Sequence, residues 1–281
     1  MALTVGAPME LPRVAGRRRV PAFLAGCAAI WAALLVGGLG GLAGGRGLAA
    51  LARVAATAAI VERLVLGTPA RDLVRRLGVG RPVARPVLVA LVVGAATLAV
   101  YPALALLTGT PATLRPDWPW LLVSLVAFHG LAEEIGWRAY AFGHLRAGRT
   151  RRRAILLTMP LIAATHLPIV ATAGPAVGAA AMLVAAVTTV PFVRLYEAGR
   201  DTVWAPALLH AAIDAFKLVT LPAGTAGTFS LLLAATSLVV PLAVLPLLRP
   251  RRGRPPAAAG VRRSDEAVQG ASPMRAGAGP G

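Results

Sequence analysis

The sequence predicts an all-α fold, a polytopic membrane helix bundle of about eight transmembrane helices. Three observations point there. Residues of the set AVILMFWYC make up 57% of the 281-residue chain and charged residues only 14%, where soluble domains carry about 25% charged residues. Mean hydropathy is +0.71. The basic residues also fall almost entirely in alternate loops between the apolar runs. Lys and Arg outnumber Asp and Glu 29 to 11, for a net charge of +18. In a soluble chain such an excess would point to nucleic acid; beside this apolar content it points to basic loops of a membrane protein, and no nucleic-acid partner is expected.

A span needs about 20 mostly apolar residues. Eight runs qualify: 21–45, 47–66, 86–108, 118–142, 154–173, 175–195, 202–220 and 228–248. The first contains Leu24-Ala25-Gly26-Cys27, which has the form of a lipoprotein cleavage box after Arg17-Arg18-Arg19. The stretch from Val20 to Gly26 is short for a signal core, and the run continues past Cys27, so a buried, inert thiol is the better reading. The second is the most polar, with Arg53, Glu62 and Arg63; the last two are expected to snorkel to the interface. Trp118 and Trp120 open the fourth as interfacial aromatics. Gly and Ala throughout allow close helix approach. Residues 71–77 are expected to form a short amphipathic helix on the membrane surface. Residues 249–281, rich in Pro, Gly, Ala and Arg, read as a disordered basic cytoplasmic tail following a membrane domain of residues 1–248. One cysteine excludes an intrachain disulfide or a Cys-rich metal site.

With an even number of spans, both termini share a side with loops 67–85, 143–153 and 196–201. With Arg194 at the edge of the last loop, that side holds 23 basic residues and the other only Arg46 and Arg115. The positive-inside rule then places both termini in the cytoplasm. Scarce lysine and abundant Ala and Gly read as genomic bias, consistent with a bacterial plasma membrane.

Ionisable residues inside lipid are costly and mark function. The fourth run ends in Glu133-Glu134-Ile135-Gly136-Trp137-Arg138, the fifth contains His166, and the seventh His210-Ala211-Ala212-Ile213-Asp214. At 1.5 Å per helical residue, Glu133, His166, His210 and Asp214 all lie about 14–20 Å from the cytoplasmic side. Three helices thus bring polar groups to one depth. Glu134 and Arg138 are i and i+4 and can pair, leaving Glu133 to face another helix. His210 and Asp214 share a face by the same spacing. Water between a carboxylate and an imidazole can be deprotonated, and a second imidazole can support an oxyanion. The same side chains offer a zinc alternative through Glu133, His166 and His210, with a metal-free mechanism beside it. His129 and His144 read as incidental, and Lys217 as a snorkelling residue near the outer end of its helix. No phosphate loop, Gly-x-Ser-x-Gly elbow or His-Glu-x-x-His helix is present.

At these residues the sequence resembles the CPBP family, which includes the type II CAAX prenyl endopeptidases and the bacteriocin-processing and immunity proteins also called Abi. Its pattern is Glu-Glu-x-x-x-Arg, then Phe-x-x-x-His, then His-x-x-x-Asn or Asp. Glu133 to Arg138 fits the first, Ile162 to His166 the second with Ile in place of Phe, and His210 to Asp214 the third in its Asp form. The likeness spans roughly residues 118–216. It implies an intramembrane endopeptidase acting on a membrane-associated peptide or protein. Glu133 and His166 would activate water, His210 and Asp214 would stabilise the oxyanion, and Glu134 and Arg138 would support the site. The family has been described both as metalloproteases and as metal-independent glutamate proteases; the residues leave this open. A proton-coupled transporter and a non-catalytic immunity or scaffold protein are the alternatives, and the absence of an internal repeat counts against the first.

Overall fold

The computed structural model describes residues 19–39 and 41–249; the basic tail, all but Arg249, lies outside them. The described chain is all-helical apart from one two-residue ladder. Helix α1 (Arg19–Leu39) turns through Ala43–Gly45 into α2 (Arg46–Ile60), which runs on as a π-helical segment, Val61–Val65. Next come α3 (Leu73–Arg76), α4 (Ala84–Thr97), α5 (Val100–Thr108) and the strand β1 (Thr113–Leu114). From Trp118 to Arg146 the chain is helical without a break: α6 (Trp118–Leu125), π segments Val126–Ala132 and Ile135–Phe142, and α7 (Gly143–Arg146). Then follow α8 (Arg151–Ala164), α9 (Leu167–Ala173), α10 (Pro175–Ala198), α11 (Trp204–Ile213), a 3-10 segment Asp214–Leu218, β2 (Val219–Thr220), α12 (Ala226–Val239) and α13 (Val244–Leu247).

Five segments are long and apolar enough to cross a membrane: Val20–Leu39, Ala84–Thr108, Arg151–Ala173, Pro175–Ala198 and Ala226–Leu247. Their outer surfaces suit lipid, with Leu106 87% and Leu231 75% exposed. The protein is an integral membrane protein. Length and apolarity thus give five crossings where the runs of the sequence give eight. The other three runs are helical but interrupted or polar. Run 47–66 carries Arg53, Glu62 and Arg63; run 118–142 is rewound twice into π form; run 202–220 is a ten-residue helix ending at Asp214. Two of these three supply most of the candidate site.

Glycines set the packing around that site. A Cβ on Gly47 would stand 2.1 Å from Ser124 O, so the start of α2 meets α6 backbone to backbone. A Cβ on Gly130 would lie 3.1 Å from Ala207 O, which seats α11 against the first π segment. Val203 N donates to Gly78 O at 2.9 Å and Trp204 Nε1 to Gly80 O at 2.6 Å, fixing the start of α11 on the loop before α4. Gly78 has φ +69°, a conformation that disfavours a side chain.

The loops sort into two ends. Arg146 and Arg151 both pair with Glu197, His144 pairs with Glu62, and the 78–80 loop holds Val203 and Trp204. The arginine-rich loops therefore share one end. At the other, β1 pairs antiparallel with β2, and Arg115 N donates to Leu218 O at 2.9 Å.

Candidate active site

The central helix from Trp118 to Arg146 and α11 supply the polar cluster. The two π segments flank Glu133 and Glu134, and such rewinding is common where side chains must be re-aimed at a functional site. Glu134 accepts from Arg138 Nη1 at 2.9 Å, the i,i+4 pair expected from the sequence. Both are buried, Glu134 at 0% and Arg138 at 2% exposure. His210 Nδ1 donates to the same Glu134 oxygen at 2.8 Å. Phe192 of α10 closes this corner: the Arg138 guanidinium lies 4.6 Å from its ring centroid, and the His210 ring 5.3 Å away. With one nitrogen engaged, His210 turns Nε2 toward Glu133 Oε2 at 3.7 Å.

Glu133 has a second imidazole partner, and it is not the expected one. His129, one turn earlier on the same helix, donates from Nδ1 to Glu133 Oε1 at 2.7 Å. The same nitrogen lies 3.1 Å from Asp214 Oδ2. Lys217 Nζ donates to that Asp214 oxygen at 2.7 Å. Asp214 thus sits as a carboxylate between an ammonium and an imidazole, at the point where α11 gives way to the 3-10 segment. The side chains of His129, Glu133, His210 and Asp214 are each 16–17% exposed, so the cluster is buried but reachable. A cavity of about 450 Å³ touches it, lined among others by Gly41, Leu42, Arg115, Leu121, His129 and Lys217.

The structure therefore brings Glu133, Glu134, Arg138, His210 and Asp214 together. His166 stands apart in its bonding: Nδ1 lies 3.1 Å from Ile162 O and 3.3 Å from Thr165 Oγ1, at the break between α8 and α9. Pro168, just past that break, explains why the helix does not carry straight through. His129 takes the place beside Glu133. Its i,i+4 spacing to Glu133 was the one signal in the sequence that could have found it. Lys217, expected to snorkel, instead binds Asp214. Among the described residues no group of three or more His, Cys, Asp or Glu is arranged to hold a metal ion. Glu133, His166 and His210 are accordingly not gathered into one such group.

The Type II CAAX prenyl endopeptidase Rce1-like family matches residues 115–216. The matched segment, about a third of the chain, is similar to the CPBP/CAAX protease family. No curated protein matches the chain. The matched segment begins at Arg115, beside the cavity, and ends two residues after Asp214, so it contains every ionisable group of the cluster except Lys217.

Proposed function

We propose that this protein is an intramembrane endopeptidase that hydrolyses a peptide bond of a membrane-associated peptide or protein. The observation that carries this reading is the pair Glu133 and His210, held 3.7 Å apart by separate partners. That gap is too long for a direct hydrogen bond, and a water seated to one side of the pair can reach both atoms at ordinary hydrogen-bond distance. Glu133 takes a proton from this water as its oxygen adds to the substrate carbonyl carbon. His210, fixed by Glu134, donates from Nε2 to the oxyanion that forms. Glu133 then passes its proton to the amide nitrogen, the C–N bond breaks, and a carboxylic acid and an amine leave. His129 keeps Glu133 aimed, and Asp214 with Lys217 keeps His129 in place. No step runs through a metal.

We place the chain in a bacterial plasma membrane with both termini cytoplasmic, and read the three interrupted runs as crossings too, which restores eight and the charge asymmetry of the loops. Glu62 and the cluster itself are buried against other helices, which is how polar groups are tolerated at that depth.

The test is hydrolysis by the purified chain in lipid vesicles. A set of membrane-anchored peptides is incubated with the parent and with Glu133→Gln, and new termini are read by mass spectrometry. The expected result is cleavage by the parent and none by the variant. Equal cleavage by both, or cleavage of no peptide by a folded parent, would overturn the reading.

A further inference from the structure

Two buried guanidinium groups are treated differently by this fold. Arg138 is 2% exposed and has the Glu134 carboxylate at 2.9 Å. Arg76, on α3, is 8% exposed and makes no hydrogen bond or ion pair among the described residues. A cation taken out of water without a partner is costly. Arg76 is therefore suited to an anion that the chain itself does not supply.

The carboxylates around it are engaged elsewhere or face solvent. Glu62, within electrostatic range of Arg76, gives one oxygen to His144 Nε2 and the other to Thr68 Oγ1, each at 2.6 Å. Arg75 holds Asp72, and Arg146 and Arg151 share Glu197. Asp201 is exposed on the turn after α10 and forms no ion pair among the described residues. Tyr196 of α10 also lies within electrostatic range of Arg76. It is 4% exposed, and its hydroxyl has no hydrogen bond among the described residues. Gly143 carries no side chain over that hydroxyl; a Cβ there would stand 3.9 Å away.

The backbone holds both groups in place. Gly78 N donates to Arg75 O at 3.0 Å, Val203 N to Gly78 O at 2.9 Å, and Asp201 N to Tyr196 O at 3.0 Å, which ties α3 and the ends of α10 and α11 together. The flanks are apolar and face outward, with Leu64 76% and Val74 58% exposed. Arg63 and Arg71, both exposed, lie close by in the chain. Lipid-facing side chains beside a basic end mark the level where acyl chains meet phosphates. The planar fork of a guanidinium matches two oxygens of a phosphate, and a phenol can donate to a third.

We propose that Arg76 and Tyr196 bind a phosphate group at the arginine-rich end of the bundle, carried by a phospholipid headgroup or free as inorganic phosphate. The site is distinct from the Glu133–His210 cluster, since Gly143 lies ten residues beyond Glu133, about 15 Å along the helix. It stands whether or not that cluster hydrolyses peptides. A bound phosphate bridges α3 to α10 and stabilises the folded chain by mass action.

Unfolding of the delipidated full chain in an uncharged detergent tests it. The midpoint is followed by tryptophan fluorescence during two titrations. One uses a short-chain phosphatidylglycerol, the other sodium phosphate, with sodium chloride holding ionic strength constant. The parent is expected to show a saturable rise in midpoint. A rise with the lipid alone identifies a headgroup as the ligand, and a rise with inorganic phosphate identifies a free phosphate; either supports the site. R76Q is expected to weaken binding at least about tenfold, and Y196F about two- to tenfold, while R152Q, on the exposed basic loop, binds as the parent does. No saturable rise with either ligand, R76Q binding like the parent, or a loss in R152Q as deep as in R76Q would overturn the proposal. Should R76Q fail to fold, Y196F decides, and its binding like the parent would overturn the proposal in the same way.

Discussion

The helix from Trp118 to Arg146 carries two glutamate–histidine pairs of nearly the same length, and they do different things. Near its middle, His129 meets Glu133 at 2.7 Å; at its arginine-rich end, His144 Nε2 meets Glu62 of the neighbouring π segment at 2.6 Å. Glu62 is 1% exposed and also accepts from Thr68 Oγ1 at 2.6 Å, while Tyr140 stacks edge-on against His144. All of its partners are accounted for, and its surroundings are protein. Glu133 is 17% exposed, keeps one oxygen facing His210 across a gap, and is bonded to His129, which lines a cavity. A carboxylate with every partner satisfied ties helices together. A carboxylate with an oxygen left over, beside an open space, can act on something that enters.

Matching substitutions at the two pairs break or sharpen this contrast. The largest difference is in rate. Glu133→Gln keeps the shape of the side chain and is expected to lower hydrolysis about 10²–10⁴-fold, whereas Glu62→Gln leaves the rate per folded molecule unchanged; parallel peptide-cleavage assays in vesicles read both. Comparable losses at the two positions would erase the distinction.

Stability is expected to follow the reverse pattern. Arg138→Ala removes the buried Glu134 carboxylate's charged partner, leaving it His210 alone, and should cost about 3–5 kcal/mol, the penalty of breaking a buried ion pair. Denaturant unfolding in detergent or bicelles measures it, and a cost near zero would mean that His210 alone satisfies Glu134. Glu62→Gln should cost about 1–3 kcal/mol, because the pair to His144 and Thr68 is weakened where water cannot replace it. Glu133→Gln, in the more open pair, is expected to move stability less than Glu62→Gln on the same scale.

The smallest effect belongs to Lys217. Lys217→Met removes one charge-assisted hydrogen bond to Asp214 in a partly exposed setting, and is expected to slow hydrolysis about tenfold or less without changing the unfolding midpoint. A loss as deep as that of Glu133→Gln would instead put Lys217 among the reacting groups.

Much of this arrangement was legible in the sequence, and the exceptions have physical causes. The Glu134–Arg138 pair follows from i,i+4 spacing alone, and that local rule survives even though the helix is rewound there. The meeting of Glu133 with His210 was readable as a coincidence of depth on two runs. His129 was hidden because its importance depends on which neighbouring helix delivers Asp214, and a single strand of sequence does not carry that. For His166, depth said nothing of direction; the break at Thr165–His166 gives its Nδ1 local partners that spacing alone did not show. Glu62 and His144 misled in the opposite sense. One was expected to snorkel and the other to be incidental, yet they find each other across 82 positions of chain. Charge at the end of an apolar run looks the same whether it reaches headgroups or another helix. The span count differs for a related reason: hydropathy rewards uninterrupted apolar length, and the helices that build a polar site are the ones that give it up.

The central claim is that Glu133 and His210, from different helices, act on one water as a unit. The most direct measurement is a double-mutant cycle of Glu133→Gln and His210→Gln, with peptide hydrolysis as the readout and folding checked by unfolding midpoints. The account predicts that the double variant is about as slow as the slower single one, as groups serving one step are strongly non-additive. Losses that simply multiply, or a single variant that hydrolyses like the parent, would contradict it.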